Sequence, residues 1–157
     1  MQYSIGTMQA GDITEVSELI CESYRFLAVN DGEGYTEKQL NDLIELRGSV
    51  QAIKVQFYEY HWLLAKSRQK IVGTVAWKDN EIEKLYVLPS EHRKGIGKKL
   101  FEAAKEKISD QGYEEMNLSC SGYGLPFYHK MGMEVYDYKV VSGPLAGHKS
   151  AQLKIQL

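Results

Sequence analysis

The chain has 157 residues, 43% of them hydrophobic, which is enough for one domain over residues 1–157 with its own core. A formal net charge of −2 provides no positive field for nucleic acid, so no nucleic-acid partner is expected. No signal peptide or apolar run of transmembrane length is recognised, which favours a cytoplasmic protein without a membrane partner. The four histidines lack metal-ligand spacing, so no metal site is expected.

The N-terminal region is predicted to form a strand and then a helix. Residues 3–8 have strand character, and Asp12 with Glu15 has the spacing of a capping box that starts a helix. The apolar stripe of this helix is Ile13, Val16, Leu19 and Ile20. Residues 24–35 interrupt the stripe with aromatic, acidic and glycine residues, and we predict a loop there. This loop is either an ordinary connection or one wall of a substrate pocket.

Two further helices and a run of strands are predicted next. Thr36 with Gln39 forms a second capping box, whose helix continues to Gly48, and Ser49 caps a third short helix. Strands are then predicted over residues 61–65, 71–78 and 81–88, joined by short polar turns. Consecutive strands with short connections indicate an antiparallel meander.

The strand that begins at Glu81 has an irregular apolar pattern. Its apolar residues Ile82, Leu85 and Val87 do not alternate as they would in a regular strand. We therefore predict a β-bulge between Ile82 and Leu85, which would turn backbone groups out of the hydrogen-bonded ladder.

A basic, glycine-containing turn follows Pro89 and leads into another helix. Two glycines allow backbone N–H groups to converge, and the helix N-terminus adds its positive end. The turn is therefore predicted to bind a pyrophosphate through His92, Arg93, Lys94, Gly95, Ile96, Gly97 and Lys98. It is not a Walker loop, because Lys99 stands where Ser or Thr is required, and it is not a dinucleotide fingerprint, because Leu100 replaces the third small residue.

The C-terminal half is predicted to complete a sheet. The helix after the turn ends near Gly112, and a strand follows over residues 116–120. This strand should lie parallel to the one that begins at Glu81, which makes a right-handed βαβ unit. A short helix ended by Gly132 and strands over residues 133–138 and 149–156 come last.

Two motifs in this half resemble those of the GCN5-related N-acetyltransferase (GNAT) family. Val87-x-Pro89 followed by Gly95-x-Gly97 matches the family's acetyl-CoA-binding signature, with His92 where Arg or Gln is usual. The segment FYHKMGM, residues 127–133, matches a second family motif on a short helix. The resemblance implies a single N-acetyltransferase domain of the α/β (mixed α+β) class. Its expected architecture is a mixed, largely antiparallel twisted sheet flanked by helices, with a central βαβ acetyl-CoA-binding unit.

The resemblance also implies an activity, the direct transfer of an acetyl group from acetyl-CoA to a primary amine on a small molecule or peptide. Tyr128 is then the expected general acid, and Glu81 or Glu83 the expected base. The backbone of three residues would bind the pantetheine arm and polarise the thioester carbonyl: Leu85, Tyr86 and Val87.

Three alternatives stay open at this level. A non-catalytic acyl-CoA-binding or regulatory module would keep the same glycine turn. The acyl group of the donor could be longer than acetyl, and a homodimer is an alternative to a monomer. Cys120, at a strand end without a neighbouring base, is expected to be a structural thiol rather than a nucleophile. Asp31 and Glu33 hint at a cationic acceptor, although acidic loop residues are usually only solvated.

Overall fold

The computed structural model describes residues 2–157. One sheet contains seven strands in the order β1-β2-β3-β4-β5-β7-β6. The strands are β1 (Ser4–Thr7), β2 (His61–Ser67), β3 (Lys70–Lys78), β4 (Glu81–Val87), β5 (Glu115–Cys120), β6 (Glu134–Val140) and β7 (Lys149–Gln156). The helices are α1 (Ile13–Asn30), α2 (Glu37–Leu43), α3 (Val50–Glu59), α4 (Ile96–Asp110) and α5 (Leu125–Lys130).

The sheet is mixed and largely antiparallel, as predicted. Strands β2 to β4 form the expected antiparallel meander, and β1 pairs antiparallel with β2. Helix α4 crosses from β4 to β5, and these two strands are parallel, which confirms the βαβ unit. Strand β7 then pairs antiparallel with both β5 and β6.

Helices cover both faces of the sheet. Tyr86 of β4 contacts Tyr24 of α1, whereas the neighbouring Val87 lies beside Gly97 of α4. Because successive residues of a strand point to opposite faces, α1 and α4 lie on opposite sides of β4. Strand β3 between them has seven consecutive buried residues, which is the pattern of a strand covered on both faces.

The predicted loop over residues 24–35 is wrong for its first half, because α1 continues to Asn30. The helical spacing of Ile20, Tyr24 and Leu27 extends the apolar stripe, and the Tyr24 side chain is only 3% exposed. Aromatic residues in this segment therefore pack against the sheet rather than interrupting the helix. The helix ends only before Asp31, whose N–H donates to Leu27 O.

The capping box predicted at Asp12 and Glu15 is also wrong, since both carboxylates bind partners elsewhere. Asp12 accepts a hydrogen bond from the Gln9 N–H at 2.8 Å and forms an ion pair with Lys66 at 3.3 Å. Glu15 accepts from the Ile71 N–H at 2.7 Å, which fastens α1 to the start of β3. A turn of 3-10 helix leads into α1 in place of a side-chain cap.

The other two predicted caps are confirmed. The Thr36 hydroxyl accepts from the Gln39 N–H at 3.1 Å, and the Gln39 side chain accepts from the Thr36 N–H at 2.9 Å. The Ser49 hydroxyl accepts from the Ala52 N–H at 3.2 Å. These caps depend only on neighbours within four positions along the chain, so the local sequence predicts them well.

A π-helical turn over Ile44–Gly48 separates α2 from α3, and the sequence pattern does not predict it. The buried Gly48 carbonyl accepts hydrogen bonds from the Ser17 hydroxyl at 2.6 Å and from the Cys21 thiol at 3.3 Å. Both donors lie on α1, so the π-helical turn is held against that helix. Such turns often occur at functional sites.

Candidate active site

The predicted bulge in β4 is confirmed. Ala76 of β3 pairs with Lys84, but the next residue, Trp77, pairs with Ile82. Glu83 is therefore the extra residue, without a partner on β3. A bulge bends the strand and changes which side chains share a face.

Strands β4 and β5 part immediately after this point. Their parallel pairing includes only Glu81 with Asn117 and Ile82 with Leu118. From Glu83 to Val87 the β5-facing edge of β4 is left unpaired, so its backbone groups face a cleft of about 1020 Å³. All three residues with predicted backbone roles line this cleft: Leu85, Tyr86 and Val87.

The glycine turn lies at the end of the same cleft. Arg93 and Gly95 have left-handed backbone angles, with φ of +65° and +83°, and Gly95 is the N-cap residue of α4. Gly95 has no side chain to accept hydrogen bonds from the first-turn N–H groups, which therefore remain available to an anion. Arg93, Gly95, Ile96, Gly97 and Lys98 line the cleft.

Gly97 keeps a narrow channel open. A Cβ at this position would lie 3.4 Å from the Phe127 ring and 3.7 Å from Val87 Cγ2. The channel thus runs between the end of β4 and the short helix α5. A glycine here allows an extended ligand to approach the backbone of the helix N-terminus.

Two residues of the predicted pyrophosphate site have other contacts. The Lys94 ammonium lies 2.7 Å from the Glu91 carboxylate, and Lys94 is not among the residues that line the cleft. His92 does line it, but its Nε2 donates a hydrogen bond to Val87 O at 2.9 Å. His92 therefore ties the turn to the end of β4, and its direct contact with a phosphate stays a prediction.

The two candidate bases lie together on the wall of the cleft. Burial, followed by the neighbouring Glu81 carboxyl, raises the pKa of Glu83 to about 7. Lys84 and Arg47 act in the opposite direction and only partly offset this rise. Although more than a third of Glu83 is exposed, its carboxyl faces the Glu81 carboxyl, and a like charge nearby disfavours ionisation of Glu83.

Tyr128 lies on α5 and packs against the rings of Phe127 and Phe101, at centroid distances of 5.1 and 6.2 Å. Burial, and to a lesser degree Cys120 and Tyr86, raises its pKa well above the usual value. The hydroxyl is therefore protonated throughout the physiological range. Within residues 2–157 it has no hydrogen-bond partner, and Tyr128 lines the cleft.

Cys120 ends β5 on the same side of the cleft. Burial raises the pKa of its thiol to about 11, so very little thiolate is present near neutral pH. The thiolate is the nucleophilic form of cysteine. This environment supports the interpretation of Cys120 as a structural thiol.

The comparison with known protein families shows to which family this chain belongs. A family model described as the acetyltransferase (GNAT) domain matches residues 33–143, which is well over half of the chain. The chain belongs to the GNAT acetyltransferase family. The predicted family and fold class are thereby confirmed.

Solved structures support the same GNAT fold over the whole chain. A GCN5-related N-acetyltransferase of Rhodopseudomonas palustris, also described as an aminotransferase, class-II, matches with a TM-score of 0.89 and 18% identity, over 100% of this chain and 97% of the other. PaiA N-acetyltransferase of Thermoplasma acidophilum, in complex with coenzyme A, matches with a TM-score of 0.81 and 20% identity, over 100% of both chains. The ribosomal-protein-S18-alanine N-acetyltransferase of Escherichia coli matches with a TM-score of 0.67 and 11% identity, over 99% of this chain and 94% of the other.

Within the described residues of this GNAT domain, no group of three or more His, Cys, Asp or Glu side chains is arranged to hold a metal ion. None of the helices in residues 2–157 is long and apolar enough to cross a membrane. A cytoplasmic location, an amine partner and a homodimer stay predictions.

The wall of the cleft opposite the glycine turn contains residues that sequence reasoning missed. We call it the tyrosine wall, and it comprises Tyr24, Asp31, Tyr35, Arg47, Lys84 and Tyr86. The rings of Tyr24 and Tyr86 meet edge to face at 5.5 Å. Four of these six residues belong to the sequence predictions: Tyr86 for its backbone, and Tyr24, Asp31 and Tyr35 as members of the segment 24–35, one possible wall of a substrate pocket. Arg47 and Lys84 are the residues that were missed. We call another part of the lining the glycine-turn wall, and it comprises the backbone edge of residues 85–87 together with residues 92, 93, 95–98, 126–128 and 130.

Lys84 is the most unusual member of the tyrosine wall. It is 6% exposed, and its ammonium donates to Arg47 O at 3.3 Å and to the Tyr24 hydroxyl at 3.4 Å. Burial, then repulsion from the Arg47 guanidinium, lowers the pKa of Lys84 to about 8. The bulge and the π-helical turn both contribute to this site; the local sequence predicts the bulge, but it does not show the contribution of the π-helical turn.

Proposed function

We propose that this chain is an acetyl-CoA-dependent N-acetyltransferase that moves the acetyl group directly from the thioester to a primary amine. The observation that carries the proposal is the separation of β4 from β5 after Ile82. It combines an unpaired strand edge, a helix N-terminus and the Tyr128 hydroxyl in one cleft. The coenzyme A bound to the Thermoplasma acidophilum structure supports the class of donor.

The glycine-turn wall fits the donor in two places. The first-turn N–H groups of α4, with Arg93 and Lys98, would hold the diphosphate, and Gly97 leaves the room that it needs. The unpaired edge of residues 85–87 would bind the pantetheine amides in the manner of an added strand. When bound, acetyl-CoA supplies the activated acetyl group.

Removal of a proton from the acceptor is the more demanding requirement. An alkylammonium group of pKa about 10.4 costs about 4.6 kcal/mol to hold neutral at pH 7. Stabilising a thiolate of pKa about 8.5 at the same pH needs only about 2 kcal/mol. Glu83, whose pKa is raised to about 7, is half deprotonated at that pH and is a better base than an ordinary carboxylate. We assign it the base role, directly or through a water molecule.

Tyr128 would act on the leaving group. Glu83 takes the ammonium proton and releases it to solvent before the transfer. As the neutral amine nitrogen then bonds to the acetyl carbon, the carbon–sulfur bond breaks, the second amine proton passes to Glu83, and the sulfur leaves as a thiolate that accepts a hydrogen bond from the Tyr128 hydroxyl. Because the pKa of Tyr128 is above that of a thiol, its hydroxyl stabilises the thiolate chiefly as a donor. The Cys120 thiol takes no part, so Cys120→Ala should keep the activity.

The experiment combines a binding measurement with a turnover measurement. We expect calorimetry to show binding of acetyl-CoA, and we expect CoA release when a panel of primary amines is added, with a mass increase of one acetyl group in the product. Absence of acetyl-CoA binding would overturn the proposal. Binding without acetylation of any amine would favour the alternative, a non-catalytic acyl-CoA-binding module.

A further inference from the structure

Asp31 is a buried carboxylate with no partner. The residue is 6% exposed and lines the cleft. Within residues 2–157, its side chain makes no hydrogen bond and no ion pair, although its backbone N–H and carbonyl are both bonded, to Leu27 and Gly34. A carboxylate that lines a cleft and has no partner in the protein can accept charge-assisted hydrogen bonds from a cationic ligand.

The location of Asp31 makes the site still more attractive to a cation. Asp31 is the C-cap residue of α1, an 18-residue helix whose last turn contains no basic side chain. The C-terminal end of a helix has a partial negative charge, which repels a carboxylate and attracts a cation. A positive group bound here would relieve this repulsion.

Glu33, the other acid in this loop, already has partners. Its carboxylate accepts a hydrogen bond from the Lys149 N–H at 3.0 Å and lies 3.8 Å from His148 Nδ1. Glu33 therefore fastens the loop after α1 to the start of β7. The two acids that look alike in the sequence have different roles in the structure.

The cations that line the same cleft do not neutralise Asp31. The Lys84 ammonium is bonded to Tyr24 and to Arg47 O, and the Lys149 ammonium lies over the Tyr138 ring at 4.4 Å. Neither these cations nor Arg47, His148 or Lys139 forms an ion pair with Asp31 among the described residues. The open position beside Asp31 is therefore left for a ligand.

An aromatic surface connects Asp31 with the proposed transfer site. The Asp31 charge contributes, after burial, to a raised pKa of Tyr35, and Tyr86 contributes next. Tyr86 in turn acts on Tyr128. Asp31, Tyr35, Tyr86 and Tyr128 all line the cleft, and tyrosine rings suit the methylene groups of an extended substrate and attract a cation to their faces.

We propose that the acceptor is a terminal diamine or polyamine, and that Asp31 binds its distal ammonium while its other amine reaches the thioester. The proposal rests on the N-acetyltransferase function proposed above, and it adds the substrate class. Asp31 is then a specificity-determining residue that does not take part in proton transfer. A monoamine would leave the carboxylate buried and unpaired.

The test compares a terminal diamine with the monoamine of equal chain length, in the wild-type protein and in Asp31→Asn. We expect the wild type to prefer the diamine through a lower KM. Asp31→Asn should raise the diamine KM by about 10- to 100-fold, the usual effect of losing a charged hydrogen bond, and leave kcat nearly unchanged. The KM of the monoamine should not rise, because the monoamine makes no contact with Asp31.

Stability supplies a second readout. A structural aspartate would lower the melting temperature when replaced, whereas removal of a carboxylate that has no partner and lies at the negative end of a helix should leave it unchanged or raise it. Glu33→Gln is the matched control, because a glutamine oxygen still accepts from the Lys149 N–H. This variant should keep the ratio of diamine to monoamine activity. A lower melting temperature of Asp31→Asn, with equal losses for both amines, would overturn the assignment.

Calorimetry separates this proposal from the function on which it rests. The diamine should bind to the CoA-loaded protein, and Asp31→Asn should remove that binding even if no amine were turned over. If the diamine binds through Asp31 but no amine is acetylated, the proposed N-acetyltransferase function is refuted and the Asp31 binding site is supported. Turnover of both amines with no preference would support the enzyme and refute the site.

Discussion

The two walls of the cleft are built on different principles. The glycine-turn wall binds its ligand mainly through backbone groups, at the unpaired edge of β4 and at the N-terminus of α4. The tyrosine wall instead uses side chains, among them two ionisable groups that are 6% exposed, Asp31 and Lys84. Backbone sites cost the fold little, whereas buried charges lower stability unless a ligand compensates them. The first wall therefore suits a constant donor, and the second suits recognition of a particular acceptor.

The largest effect is expected at the glycine-turn wall, from Gly97→Asp. The new Cβ would lie 3.4 Å from the Phe127 ring, and the carboxylate would occupy the place of the diphosphate and repel it. We expect the affinity for CoA, measured by calorimetry, to fall by about 100-fold or more, with an unchanged circular dichroism spectrum. This magnitude corresponds to about 3 kcal/mol, as for loss of a charged hydrogen bond together with new repulsion.

Gly11→Asp is the control for this substitution. It makes the same change of charge, at a position where a Cβ meets nothing within 4 Å and outside the residues that line the cleft. Its CoA affinity should equal that of the wild type. Equal CoA affinities of the wild type, Gly97→Asp and Gly11→Asp would show that the diphosphate does not bind at the glycine turn.

The next effect concerns the chemistry on the same wall. Tyr128→Phe removes one hydroxyl and keeps the ring contacts with Phe101 and Phe127. We expect kcat to fall by about 100-fold, the lower end for general acid catalysis, because a thiolate is a weak base. The affinity for acetyl-CoA should change little. Full kcat in the variant would mean that Tyr128 only packs.

The contrast between the walls also explains what could be predicted from sequence. Adjacent residues encode the bulge at Glu83, the glycine turn and the helix that contains Tyr128, so the local sequence predicts all three features. Lys84 is buried because the π-helical turn places Arg47 O beside it, and that partner lies far away in the sequence. No local pattern shows such a contact.

Two errors have the same physical origin. Asp12 has the spacing of a helix cap, but Lys66 and the Gln9 N–H compete for its carboxylate. The predicted loop begins at residue 24 because aromatic, acidic and glycine residues interrupt the pattern over residues 24–35, although Tyr24 and Leu27 continue the stripe of α1. Tertiary packing decides between local conformations of similar energy. Most residues of the tyrosine wall are positioned by tertiary contacts of this kind.

The next prediction concerns Glu81 and Glu83, and it tests which of the two carboxylates is the base. Because the pKa of Glu83 is about 7, it becomes a base as pH rises through 7, and kcat should rise with it. Glu83→Gln should remove this ascending limb and lower kcat by about 10- to 100-fold near pH 8. The defect should shrink at high pH, where solution supplies neutral amine.

Glu81→Gln should behave differently, and it serves as the matched variant. The Glu81 carboxyl helps to raise the pKa of Glu83, so its neutralisation should move the ascending limb to lower pH without abolishing it. A profile of kcat against pH, with one amine of known pKa, distinguishes the two. If Glu81→Gln loses the limb and Glu83→Gln keeps it, the base is Glu81.

The smallest effect, and the one that most directly tests the tyrosine wall, is the stability of Lys84→Met. Burial lowers the pKa of Lys84 from 10.5 to about 8, which corresponds to a cost of about 3 kcal/mol for the charged form. Methionine removes this cost but leaves the Tyr24 hydroxyl and Arg47 O without a donor, a loss of about 1 kcal/mol. Below pH 8, Lys84→Met should therefore be more stable than the wild type by about 1–2 kcal/mol.

The sign of this difference should reverse at high pH. Between pH 8 and 10.5 the unfolded chain keeps the Lys84 proton that the folded protein has lost, so the wild type gains stability as pH rises. Above pH 10.5 lysine is neutral in both states and still donates its hydrogen bonds, so the wild type should be more stable by about 1 kcal/mol. Urea unfolding of both proteins at pH 7 and above 10.5 measures the reversal. Lys98→Met, at an exposed position of the glycine-turn wall, should show no such crossing, and a crossing there would contradict the distinction between the two walls.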